Sequence, residues 1–109
     1  MLGSIIWPGL SGRSYWYDVY PRHFRLNAGQ PGNYVFVVEF SLRQFMPLYV
    51  GETNDLNRRL LEHDELDLIG CTHVCVHLND DESARLQEEK DLIRRWLRRS
   101  ANNRSNGTN

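Results

Sequence analysis

At 109 residues the chain has room for one domain with a modest core and no need of disulfide staples. Its 40% hydrophobic and 25% charged content argues against wholesale disorder and against a membrane span. The net charge of -1 does not by itself announce a nucleic-acid binder. Six of the thirteen basic residues (Lys90, Arg94, Arg95, Arg98, Arg99 and Arg104) nevertheless crowd the last twenty positions, and arginine, the better bidentate phosphate ligand, outnumbers lysine twelve to one.

Residues 1 to 13, with Gly3, Pro8, Gly9 and Gly12 and no periodicity, read as an irregular arm. The absence of a basic leader and the break at Pro8 speak against a secretory signal, so a cytoplasmic location is expected. Ser14 to Tyr20, SYWYDVY, alternates and is rich in aromatics, which favours an additional edge strand. Its Tyr15, Trp16, Tyr17 and Tyr20 suit either packing or a base-stacking or partner surface, with packing the commoner use of such rings. Pro21 to Gln30 is a loop closed by the Pro31-Gly32 turn signal. Tyr34 to Phe40 is an unbroken apolar run of strand length, suited to a buried central position. Ser41 to Pro47 then connects it, as a longish hairpin loop, to a strand at Leu48 to Gly51.

Leu48 to His63, LYVGETNDLNRRLLEH, is a strand running into a helix. Gly51 permits the exit, Thr53 or Asn54 is expected to cap, and Leu56 and Leu60 mark the apolar face. Arg59 and His63 are four apart and so leave the helix on one side, leaning back toward Tyr49. After the acidic HDELDL segment, Cys71 to Leu78 is another strand. Its alternation sets Cys71, His73, Cys75 and His77 on one face. Zinc is disfavoured there, because residues six apart on a strand are about 20 Å apart whereas zinc ligands lie within about 2.3 Å. The cysteines are expected to be reduced small apolar groups and the histidines polar surface. Asn79-Asp80-Asp81 offers helix-capping chemistry, and Glu82 to Arg99 reads as one long helix with an apolar stripe of Leu86, Leu92, Ile93, Trp96 and Leu97. Glu89 falls inside that stripe, where a carboxylate needs a partner: an arginine such as Arg59, or a metal ion. Glu88 is expected at the surface, and residues 100–109, rich in Asn and Ser, are expected to be a disordered tail.

Three of these pieces, in this order, resemble the GIY-YIG nuclease domain. Pro31-Gly32-Asn33-Tyr34 is similar to the opening of the first motif. Tyr49-Val50-Gly51 with Asn54, Leu56, Arg58-Arg59-Leu60 and His63 is similar to the second motif and first helix. Glu89, three residues before Leu92-Ile93, is similar to the second-helix glutamate. Asn33 departs from the usual aliphatic residue, and Glu52 stands where the excision-repair branch has lysine. The resemblance covers residues 31 to about 97, within a domain drawn at 31–99 behind an N-terminal arm at 1–30.

The resemblance implies an α/β fold with a small, mostly antiparallel central sheet, in β-β-β-α-β-α order with an extra N-terminal strand, flanked by helices. It implies a metal-dependent endonuclease hydrolysing DNA phosphodiester bonds. Glu89 would hold Mg2+ or Mn2+, Arg59 would bind the scissile phosphate, Tyr34 and Tyr49 would orient or deprotonate the water, and His63 would shuttle a proton. With little room for a separate recognition domain, such a protein would be structure-directed, weakly specific, or dependent on a protein partner for targeting. The alternative is a noncatalytic nucleic-acid-binding or protein-interaction module that keeps the same fold.

Overall fold

A computed structural model describes residues 1–66 and 70–97. Five strands form a single antiparallel sheet: β1 (Gly3–Pro8), β2 (Ser14–Pro21), β3 (Gly32–Ser41), β4 (Gln44–Thr53) and β5 (His73–Leu78), in the spatial order β1-β2-β5-β3-β4. Helix α1 (Leu56–Leu66) enters between β4 and β5 in the chain, and α2 (Glu82–Leu92) follows β5 and runs on into a wider π-helical turn, Ile93–Leu97. Among the described residues no helix is long and apolar enough to cross a membrane.

Strand alternation divides the core between the two faces. Tyr34, Phe36, Val74 and Val76 meet Leu56 and Leu60 of α1 on one face. On the other, Tyr17, Val19, Val35, Val37, Val50 and Cys75 pack with Trp7 and with Leu92 of α2. Leu56 and Leu60 are at most 1% exposed, and burial of such a leucine contributes about 1.5–3 kcal/mol before conformational costs. β4 forms the edge next to β3 and carries Pro47, a residue an edge strand tolerates because it lacks a ladder N–H, beside a register shift between Phe36 and Val37.

The structure corrects the expected layout at several points. The stretch read as an irregular arm holds β1, paired residue for residue with β2 from Gly3↔Val19 to Pro8↔Ser14. β2 is therefore interior, flanked by β1 and β5, and not an edge. Its inward ring is Tyr17, fully buried, while Trp16 is 61% exposed. The β3–β4 connection is a turn of two residues, Leu42 and Arg43, with Arg43 at φ 58; the residues expected to fill a long loop instead lengthen the ladder to Ser41↔Gln44. Cys71 lies ahead of β5 and joins the α1-side core, whereas Cys75 is buried on the α2 side, so the two do not share a face. Both are free thiols, and burial pushes Cys75 up to about 12.

The last helix also differs. Leu86, expected in the apolar stripe, is 41% exposed, and α2 proper stops at Leu92. In the π turn the Trp96 ring stands edge-on to Trp7 at 5.3 Å, and its indole N–H donates to the Pro8 carbonyl at 2.9 Å. That turn thus pins the end of β1 to the far end of α2. Arg98, Arg99, Arg104, the last positions of the expected helix and the expected tail lie outside the described residues, as does part of the acidic segment after His63.

Candidate functional site

Two glycines let aromatic and backbone groups approach where any side chain would intrude. A β-carbon on Gly51 would collide with the ring and hydroxyl of Tyr34, its cross-strand neighbour, and one on Gly32 would meet the His77 carbonyl and Leu56. Tyr34 consequently lies flat over β4, fully buried. Its hydroxyl is 3.0 Å from Nε2 of His63, which α1 brings over the same face. Tyr49 stacks at 6.0 Å from Tyr34 and 4.8 Å from the His63 ring. Tyr49 is 37% exposed and His63 is 7% exposed, so within this aromatic group Tyr49 meets solvent and the other two lie beneath it.

The helix that supplies His63 is set by a cap different from the one expected. Asp55, not Thr53 or Asn54, accepts the Arg58 backbone N–H at 3.2 Å, while Thr53 Oγ1 accepts the Asp55 N–H at 3.1 Å. The Leu56 N–H donates to the Gln30 carbonyl, tying the helix start to the segment before β3. Arg59 then lies over Tyr34. Burial pushes the Tyr34 phenol well above its ordinary value, the Tyr49 hydroxyl adds to that, and the Arg59 guanidinium opposes it. Arg59 is partly exposed and also pairs with Glu62 at 3.1 Å.

Glu89 comes from the other helix, on the opposite face of the sheet, yet it lies toward the same edge. Burial raises its carboxyl above the usual range, the neighbouring Glu52 charge adds to this, and the Glu52 backbone N–H, Arg59 and Lys90 pull the other way. Glu89 therefore lies where Arg59 and the end of β4 both influence it. The five residues singled out by sequence fall into two parts: a tight cluster of Tyr34, Tyr49, His63 and Arg59, and a half-buried carboxylate around the β4 edge from it.

Whether a divalent cation fits is decided by the donors present. The described residues hold no group of three or more His, Cys, Asp or Glu side chains able to share an ion. Glu89 offers one carboxylate in a setting that disfavours its bare charge, and Glu52 is engaged by Arg85 at 3.1 Å. Magnesium is the common divalent cation that accepts as few as one or two carboxylates and completes its shell with water and substrate oxygens.

Several polar residues whose partners sequence reading did not supply organise this region. Asn33 is fully buried and its Nδ2 donates to the Arg85 carbonyl at 2.9 Å, so its departure from an aliphatic residue ties β3 to α2. Arg85 is 4% exposed, donating from Nε to Glu52 and from Nη1 to the Asn79 carbonyl at 3.0 Å. Its signal in the sequence was its place one helical turn before Glu89. Glu88, expected at the surface, is 3% exposed; it accepts from the Tyr17 hydroxyl and lies 3.0 Å from Nδ1 of His77. His77 is accordingly half-buried and paired rather than a surface histidine. Neither partner was legible in strand or helix periodicity, because each needs the other to be tolerated inside.

Compared with known proteins, the chain matches no family model, no curated protein and no solved structure.

Proposed function

We propose that the protein is a GIY-YIG-type endonuclease that hydrolyses DNA phosphodiester bonds. The observation that carries this reading is the meeting of Tyr34, Tyr49, His63 and Arg59 over one end of the sheet, with Glu89 near enough for Arg59 to act on its charge. Hydrolysis of a phosphodiester needs an oriented water, a cation against the charge that grows on the phosphoryl oxygens, and a route for the water's proton.

Exposure divides the work between the two tyrosines. Tyr49 reaches solvent and is the phenol that touches the attacking water, whereas buried Tyr34 is a positioning residue. The Tyr34 hydroxyl fixes His63 through Nε2, and the His63 ring lies under Tyr49, ready to receive the proton that leaves the water. Arg59 presents a fixed guanidinium to the scissile phosphate. Glu89 would hold a divalent cation such as Mg2+ or Mn2+, which when bound supplies Lewis-acid neutralisation of the phosphoryl charge.

The test is incubation of supercoiled plasmid and branched DNA with Mg2+ or Mn2+, comparing the wild type with Glu89→Gln and Arg59→Ala. Metal-dependent nicking that both substitutions abolish supports the enzyme. DNA binding without cleavage under either metal replaces it with a noncatalytic nucleic-acid-binding module. Loss of both, with retention of a protein partner that depends on the exposed Trp16, replaces it with an interaction domain.

A further inference from the structure

Beside the Glu89 and Arg59 region, a polar cavity of about 260 Å³ opens between the first turns of α1 and α2, lined by Glu52, Thr53, Asn54, Arg58, Arg59, Glu82 and Arg85. Three guanidinium groups face two carboxylates there. One carboxylate, Glu52, is already bound to Arg85 Nε. Arg85 itself is more than nine-tenths buried and is held at the cavity wall, with Nε donating to Glu52 and Nη1 to the Asn79 carbonyl. A guanidinium carries five donors in a planar fork, so one fixed at a cavity wall by two acceptors keeps donors to offer an anion entering the cavity. Arg58 is exposed on the opposite wall, with a long contact of 3.4 Å to Asn54 Oδ1.

We propose that this cavity is a second phosphate subsite, in which Arg85 and Arg58 clamp the backbone phosphate next to the scissile one; the assignment rests on the nuclease reading above. Arg59 lines this cavity and also lies over Tyr34, so it joins the two positions along one strand of nucleic acid. The subsite grips the phosphate and ribose backbone and reads no base. Arg85 comes preset by Glu52 and Asn79 and gives the contact its geometry, while Arg58 closes on the phosphate from the surface. Neither residue takes part in bond cleavage, so both belong to substrate affinity.

Arg58 is the residue to change, because it is exposed and holds nothing in the core. Fluorescence anisotropy with labelled branched DNA in EDTA should show Arg58→Ala binding roughly tenfold more weakly, with the slope of log affinity against log salt flattened by about one. In cleavage assays its KM should rise by a similar factor and its kcat should hold. In the wild type, titration with inorganic phosphate should move the NMR resonances of the Arg85 and Arg58 Nε–H groups together and saturably. Unchanged affinity, salt slope and KM in Arg58→Ala, alongside wild-type cleavage, would overturn the subsite and leave the nuclease reading standing. Phosphate shifts at both arginines in a protein that cuts no DNA would do the reverse. Absence of phosphate shifts at both arginines overturns the subsite whatever the cleavage result.

Discussion

Gly51 and Tyr34 form the most demanding single contact of the site, since the ring lies where a β-carbon on the opposite strand would be. Gly51→Ala should destabilise the fold by about 1–3 kcal/mol in denaturant unfolding, the usual cost of overpacking, and should displace the Tyr34 hydroxyl from His63. Glu89 makes the opposite prediction about stability. Its carboxyl is raised by burial and by Glu52, so its folded pKa exceeds its unfolded one and its ionised form costs stability at neutral pH. That cost is relieved as pH falls through the folded value. In EDTA at pH 7, Glu89→Gln should therefore have a higher Tm than the wild type. Added Mg2+ should raise the Tm of the wild type and leave that of Glu89→Gln where it was. A lower Tm for Glu89→Gln in EDTA would contradict the electrostatic account of that carboxylate.

Between elements, the junction of β5, β2 and α2 is held by a polar triad whose Tyr17 and Glu88 are buried. Glu88 accepts from the Tyr17 hydroxyl and pairs with His77, and this hydrogen bond raises the His77 pKa against the effect of burial. A raised histidine contributes stability that is fully present below its unfolded value, near 6.5, and is lost as pH rises through its folded value. Thermal unfolding of the wild type should thus lose stability upward from about pH 6.5, and His77→Gln should remove that part of the profile. How far such elements could be read from sequence depended on what sets them. Apolar runs with turn signals, such as Tyr34 to Phe40 and the Leu56 and Leu60 face, carry their own placement. β1 was missed because Gly3 and Pro8 bracket a stretch without clear alternation, and its pairing with β2 is a long-range contact. The two-residue turn at Leu42-Arg43 was hidden because its positive φ falls on an arginine rather than a glycine. The helix expected from Glu82 to Arg99 is α-helical to Leu92 and π-helical from Ile93 to Leu97, the turn in which Trp96 meets Trp7 and Pro8.

At the scale of the whole molecule, the sheet keeps two helices on opposite faces and β4 at an edge, so groups from both helices can approach one another around that edge. The resemblance to the GIY-YIG motifs picked out Tyr34, Tyr49, Arg59, His63 and Glu89. It could not tell which tyrosine lies beneath the other, nor that Arg85 and Asn33 fasten α2 to β3 and β4, because those depend on burial and on cross-element bonds. The net charge of -1 does not describe how charge is distributed: the guanidinium groups of Arg58, Arg59 and Arg85 gather at one end of the sheet together with the carboxylates of Glu52 and Glu82. The central claim is that these side chains form one metal-assisted hydrolytic centre. Its most direct measurement is the single-turnover rate of branched-DNA cleavage in Mg2+ by the wild type and by Glu89→Gln. The account expects the substitution to slow cleavage by at least roughly a hundredfold with DNA affinity retained; equal rates for the two proteins, or no cleavage by either, would contradict it.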